Sequence, residues 1–499
     1  TANDILGSLF ANDASVKLHH VMDYPLTEEE KGTAERYEQI TFTDDPQYKD
    51  KWLVRLKPAV AETFAKFPDR YVNEVVCYVG EDGKLRLGIK TATASVDWTG
   101  TWTVFDKFEV EYLGAEDMTG AETSINALIA TATDMVNKEV LTTQEAKDGL
   151  NTAIESANKA VSEGLTLEVY NEQVADLNAA IKAGQEAIDA ATALEKRNDN
   201  HNDKLTSVGE ESYDAYVDTD GFAELEKVVL EIEGKISGEG IFASMEEIDD
   251  YNAKINKAYT KMVSGVIDFS TASKDAPVDA TGLIITPGFQ TRTFNETTQV
   301  WEDASSSDGW TATGGTATSG LNYEIFNDTA GIHQKLYNMP AGYYRLVYNG
   351  FYRAGDITPA ALSRREGVEP LNAQVYLDGN ESKWNKKLVS IFENLSEYKY
   401  TTDDKAVADT LLTPEDEGML YHFIINGVSG AKIVFEEGKY EGDFSFRVEE
   451  GEEPVLGVRK TGKITNDWTC FDNFKLLYYG DGDANKPDDI DDALDTNID

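Results

Sequence analysis

One strand-like stretch occurs twice in this chain, near its beginning and near its end. Trp102-Thr103-Val104-Phe105-Asp106-Lys107-Phe108 aligns without a gap on Trp468-Thr469-Cys470-Phe471-Asp472-Asn473-Phe474. Upstream, Gly88 matches Gly457 once three extra residues are allowed in the first copy's intervening loop. In the first copy Phe105, Lys107 and Glu109 alternate with Asp106, Phe108 and Val110, the period of a strand that buries one face. A chain that repeats a whole strand ending is expected to build β-structure in two separate modules.

The likeness continues further back in weaker form. "SLFANDASVKLHHVMDYP" from Ser8 has the shape of "QVYLDGNESKWNKKLVSIF" from Gln374: an aromatic strand, a polar Asn/Asp/Gly turn and a second strand. On that register Thr1 to Gly114 matches the second half of a module whose full form runs from about Gly282 to Gly480. Half a sandwich would expose strand edges and an apolar face, which native proteins avoid. Three explanations follow: a fragment cut from a longer polypeptide, strands supplied by a neighbouring chain, or a shorter fold that stands alone. Thr1, with neither a starting methionine nor a signal peptide, fits a processed start or a fragment boundary.

Between the copies the period changes to that of helices. Ile125, Leu128, Ile129, Ala132 and Val136 form one apolar stripe, Leu150, Ala153, Ile154, Ala157 and Val161 a second, and Val174, Leu177, Ile181, Ile188 and Ala191 a third. Thr142-Thr143-Gln144-Glu145 can cap the second helix, and Gly164 separates it from the third. The third helix can run on through the polar stretch Glu195 to Lys204. Two more follow, on Phe222, Leu225, Val229, Ile232 and Ile236 and on Ile248, Tyr251, Ile255, Tyr259 and Met262. Turn residues then return, and "YYRLVYNGFYR" reads as a core strand. The expected boundaries are 1–115 for the incomplete β-module, 119–205 for a three-helix bundle, 206–265 for a second helical segment, 266–480 for the complete β-module, and 481–499 for an acidic linker or tail.

The chain has 91 acidic and 45 basic residues, a formal net charge of −46, which repels both a phosphate backbone and an anionic lipid surface. That argues against nucleic acid as a partner and fits an exported protein with a solvated surface. No apolar run reaches membrane-spanning length. Cys77 and Cys470, one per copy, read as small buried hydrophobes. Metal-protease, nucleophile-elbow and phosphate-loop motifs are missing, and among so many acids a pair at glycosidase separation carries no information. An intrinsic enzyme activity is therefore not expected. Asp481, Asp483, Asn485 and Asp492 stand at positions 1, 3, 5 and 12 of a calcium-type loop, although Lys486 replaces the turn glycine. They make calcium the one candidate metal, against the plain reading of a solvated acidic linker.

Trp102, Phe105, Phe108 and their counterparts Trp468, Phe471 and Phe474 recur in one register and are expected to pack in cores. Trp301, Trp310 and Trp384 lie in polar, loop-like contexts, and with Arg353 they are the candidate ligand-binding residues. Sugar rings stack their C–H faces on indoles while Arg supplies hydrogen bonds to hydroxyls.

"GFYRAGD", "NAQVYLDG" and "DWTCFDNFKLLYYG" resemble the galactose-binding-like β-sandwich modules common in large exported and surface proteins of gut Gram-negative bacteria. "ALIATATDMVNKEVLTTQEAKDGLNTAIESANKAVSEG" resembles the FIVAR class of helical spacer repeats. The resemblance implies a multidomain chain, with all-β jelly-roll sandwiches at both ends joined by all-α three-helix-bundle spacers, and loops at one end or face of a sandwich carrying function. It implies a non-catalytic, exported protein at the cell surface or outer membrane that binds a glycan or glycoconjugate or serves adhesion. The alternatives are a structural subunit of a surface filament or outer-membrane complex, completed by a neighbouring chain, and the accessory region of a larger carbohydrate-active enzyme.

Overall fold

The computed structural model describes residues 7–12, 14–55, 57–77, 79, 83–91, 102–112, 119–209, 212–238, 240–295, 298, 300–380, 382–408, 421–490 and 493–494. Its helices and its strands, which lie in several sheets, fall into two compact units, 1–192 with 240–245 and 193–239 with 246–499. The protein is thus a mixed α/β, multidomain chain.

In the first unit Gly7–Ala11 pairs antiparallel with Ala14–Lys17 on one side and Leu87–Thr91 on the other. Phe10 lies opposite Gly88, where a side chain would meet the phenyl ring at 3.2 Å. A short hairpin, Tyr37–Gln39 with Trp52–Val54, and helix α1 (Lys57–Lys66) enclose a small core of Leu26, Val54, Ala59 and Val60. The strand expected at Trp102–Tyr112 is not formed. Val104 alone reaches toward that small core, and Trp102, Phe105, Phe108, Val110 and Tyr112 are exposed. Core packing of the first copy's aromatics is thereby corrected. A strand needs neighbours to take up its backbone groups, and the strands that flank the second copy have no counterpart in residues 1–114.

Helices α2 (Thr119–Asn137), α3 (Gln144–Glu163) and α4 (Leu167–Thr206) follow. The α3 start is where the sequence places it, with the Thr143 hydroxyl accepting from the Ala146 N–H at 3.1 Å, and Gly164 ends the helix at φ 96°. Ala121, Ile125 and Ala132 of α2 meet Leu150 and Ala157 of α3 and Tyr170 and Leu177 of α4 in one core.

Helix α4 is unbroken for 40 residues, so the polar stretch Glu195–Lys204 does continue it. Its last turns belong to the second unit, with α5 (Asp220–Gly238) and α6 (Met245–Ser264). There three of its polar side chains, Arg197, Asn198 and His201, are buried. Arg197 donates to Asn252 Oδ1 at 3.0 Å and to Asn256, and its Nε lies 2.6 Å from Asp308 Oδ1 in a loop of the β-region. His201 Nδ1 is 2.9 Å from the Tyr213 hydroxyl; burial first, then the Arg197 charge, pushes the His201 pKa down to about 3. Asn338 bonds the Lys257 carbonyl and Thr260 Oγ1, each at 2.8 Å. These contacts join α6 and the end of α4 to the sheets in one compact unit.

A seven-stranded and a five-stranded sheet contribute side chains to a single large core. Gly342–Arg353, the expected core strand, is central in the larger sheet: antiparallel to Trp468–Gly480 on one side and Glu441–Val448 on the other. Its ladder with Trp468–Gly480 slips between Val347 and Asn349, where Asn473 takes the left-handed φ of 54°. Cys470 is buried and unbridged, its thiol pushed upward by burial; Cys77 is half-buried and also unbridged.

Candidate ligand-binding site

The five-stranded sheet runs in the order Lys383–Lys387, Ala373–Asp378, Val455–Lys460, Gly331–Lys335, Thr311–Ala312. Strand alternation sends Val375, Leu377, Leu456, Val458 and Ile332 into the core. Tyr376, Gly457 and His333 therefore fall in one row on the other face, for Tyr376 pairs with Gly457 and Gly457 with His333. Gly457 leaves room for the tyrosine: a Cβ there would come within 2.6 Å of Tyr376 Cζ and its hydroxyl oxygen. The ring crosses the glycine and faces the Arg459 guanidinium at 4.1 Å from its centroid. Arg459 is held in turn by Asp378 at 3.4 Å and, in the amide orientation that satisfies both groups, by Gln374 Oε1 at 2.9 and 3.0 Å. Burial raises the Tyr376 phenol pKa against the opposing effect of Arg459, so the ring presents a neutral hydroxyl at neutral pH.

Around this pair lies a shallow depression whose other walls are Thr313, Thr329, Gly331, His333 and Lys460. Arg459, an imidazole and threonine hydroxyls meet on this surface over Tyr376, which is itself buried between Gly457 and Arg459, and such a set suits a polar ligand. The Lys460 ammonium points inward, 2.5 Å from Asp467 Oδ1, with both side chains fully buried; the Tyr352 hydroxyl also donates to Asp467. That ion pair ties the depression's floor to the larger sheet.

Of the four residues picked from sequence, the structure puts one at the surface. Trp301 stands opposite Phe294 in the hairpin Gln290–Asn295 with Val300–Ser305 and is 40% exposed. Trp310 is buried, donating Nε1–H to the Ile285 carbonyl at 2.8 Å and packing on Phe289 and Phe474. Trp384 is buried beside Phe446, for Leu494 bridges to it and Ala493 accepts from the Asn385 N–H. Arg353 is buried beneath Trp468, its donors taken by the Gly355 and Asn466 carbonyls and Asn426 Oδ1, and desolvation lowers its pKa. The exposed indoles expected of Trp310 and Trp384, and the free guanidinium expected of Arg353, give way to packing: polar neighbours in sequence were core neighbours in space.

Of the four calcium candidates, Asp481 pairs with Arg447 at 2.9 Å, Asn485 Oδ1 accepts from the Lys274 N–H, Asp483 and Asn485 begin and end one short turn, and Asp492 lies outside the described residues. Among the described residues no three His, Cys, Asp or Glu side chains form a metal-holding group. Nor is this stretch a free linker: Asp489 pairs with Arg345 at 2.8 Å, and Ile490 is buried with Tyr343 and Tyr479.

The row of Tyr376, Arg459 and His333 escaped sequence reasoning, yet a signal for it exists. Phe10 opposite Gly88, with Lys90 over the ring at 5.8 Å, repeats in the first copy the arrangement of Tyr376, Gly457 and Arg459. An aromatic over a glycine with a cation two residues on is legible once the duplication is aligned. No protein-family model matches the chain, and no curated protein matches it.

Proposed function

We propose that the chain is a non-catalytic, exported, multimodular surface protein whose second unit is a galactose-binding-like jelly-roll sandwich that binds a glycan, with the helices as bundle spacers. The Tyr376–Arg459 pair beside His333 and Thr313 carries this reading. Arginine, imidazole and threonine groups meet sugar hydroxyls, and the buried Tyr376 ring holds the Arg459 guanidinium in place for this. Trp301, 40% exposed on its hairpin, offers a stacking face for a C–H surface. A glycan array followed by calorimetric titration of the full chain tests it: saturable binding to at least one saccharide is expected, weakened about tenfold or more, on the order of 1.4 kcal/mol, by Arg459→Ala. No binding across the array overturns it.

A second reading, a structural subunit completed by another chain, is favoured by one observation. The first copy of the duplicated strand, Trp102–Tyr112, stands outside every sheet with its aromatics in solvent.

A further inference from the structure

We infer that the outer face of the five-stranded sheet binds an acidic glycan, one whose sugar rings carry carboxylates, and that Arg459 and Lys387 receive those carboxylates. This rests on the glycan-binding reading above and names the class of its ligand.

The ladders fix what this face presents. With Trp384, Val375, Leu377, Leu456, Val458 and Ile332 turned into the core, the alternate positions form cross-strand rows on the other side. One row runs Lys387, Gln374, Arg459, Gly331. The next holds Tyr376, Gly457 and His333, and the third runs Lys383, Asp378, Val455, Lys335. The strand positions of this face thus hold four basic side chains, Lys335, Lys383, Lys387 and Arg459, and one carboxylate, Asp378. In the whole chain 91 acidic residues face 45 basic ones. A face that inverts this balance attracts anions to a molecule whose net charge otherwise repels them.

Part of that charge is matched within the fold. Lys335 pairs with Glu453 at 2.6 Å, and Asp378 Oδ2 lies 3.4 Å from Arg459 Nη1. Lys383 and Lys387 are exposed and make no ion pair among the described residues. Arg459 also keeps donors to offer. Gln374 Oε1, in the orientation given above, takes Nε–H and one Nη2 hydrogen, and Asp378 takes one on Nη1. A guanidinium has five N–H donors, so one is left on each terminal nitrogen. Two such donors in one plane match the two coplanar oxygens of a carboxylate, and the Tyr376 ring, 4.1 Å away, fixes that plane.

The row also gives the ligand a length and a direction. Lys387 stands two strands from Arg459, about 10 Å at the usual strand spacing. That span is wider than one sugar ring, so the pair suits an oligomer with repeated carboxylates. At the opposite end the Thr313 hydroxyl meets the Gly331 carbonyl at 3.1 Å, and the Asp328 carboxylate borders Gly314, where a Cβ would meet it at 2.9 Å. An acid there turns carboxylates away and leaves the sugar hydroxyls to Thr313 and His333.

Calorimetric titration of the full chain with oligosaccharides of galacturonate, glucuronate and mannuronate, each beside its carboxyl-reduced form and at two salt concentrations, tests this. At least one uronate oligomer is expected to bind about tenfold or more tightly than its reduced form, by a margin that shrinks as salt rises. Arg459→Lys should remove most of the preference although it keeps the charge, because the paired donors are lost. Lys387→Gln, at an exposed position that does not threaten the fold, should weaken uronate binding about threefold and leave the reduced form unaffected. Equal affinity for acid and reduced forms, or binding confined to neutral saccharides, overturns the inference and keeps the glycan reading. Tighter binding of sulfated than of carboxylated oligomers gives the face to sulfate and also overturns it, as does a uronate preference that survives both substitutions. No saccharide binding of any kind removes the inference and the glycan reading together.

Discussion

Trp102–Tyr112 and Trp468–Gly480 begin with nearly the same residues and end in opposite states. Phe471 is fully buried among Phe289, Tyr323 and Phe474, whereas Phe105, at the same register, is 54% exposed. Both keep the Asp-to-backbone hydrogen bond and the left-handed residue that follows it. Local sequence thus carries the bulge by itself. Burial requires Tyr323–Phe326 and Gly342–Arg353 on either side, and those strands come from a distant part of the chain.

The sharpest way to break this comparison is to truncate the matched rings. Phe471→Ala should destabilise the second unit by about 3–5 kcal/mol, and Phe105→Ala the first by less than ~0.5 kcal/mol. Urea unfolding of each variant measures both, and equal losses would show that Phe105 is buried in solution. Lys460→Met is expected to cost about 3–5 kcal/mol because it strands the Asp467 carboxylate in the core, and adding Asp467→Leu should recover much of that. Thermal melts of the single and double variants decide it; no recovery would mean that Asp467 is held by Tyr352 and the backbone alone.

A third contrast is in pH. Burial pushes the Asp472 pKa up to about 8, well above its unfolded value. Between about pH 4 and 8 the unfolded chain then holds fewer protons at this site than the folded one, so its contribution is full at low pH and lost as pH rises through 8. Asp472→Asn should flatten the fall in stability of the second unit across that window. Denaturation midpoints at several pH values report this. The smallest effect is expected at the bulge itself: Lys107→Gly relieves a left-handed side chain and should stabilise by up to ~1 kcal/mol, whereas Asn473→Gly should be close to neutral. Matching shifts of the two midpoints would mean that partner strands, rather than local backbone preference, set that φ.

Much of the helical region was legible because its determinants are local. The Thr143 cap, the Gly164 stop and the apolar stripes of α2, α3 and α4 all act within a few residues. The polar stretch Glu195–Lys204 could be read as helix, but the burial of Arg197 within it could not, since Asn252, Asn256 and Asp308, which receive Arg197, lie over fifty residues away in sequence. Trp310, Trp384 and Arg353 misled for the same reason. Their flanking residues are polar, while the groups that cover them, Phe289, Phe474, Leu494 and Trp468, arrive through the fold. The acidic stretch after Gly480 looked solvated by composition, and Ile490 and Ala493 pack it onto the sheets.

By itself the sequence determined the duplication, the strand period of both copies, the helical middle and the strongly acidic net charge. The tertiary structure decided which copy of the repeated strand is buried, which aromatics face solvent, and that Tyr376, Arg459 and His333 share one surface. The division has a physical cause. Dihedral preference, capping and periodicity are encoded within a turn or two of chain, whereas ladder pairing and burial depend on neighbours that must exist elsewhere and be brought alongside.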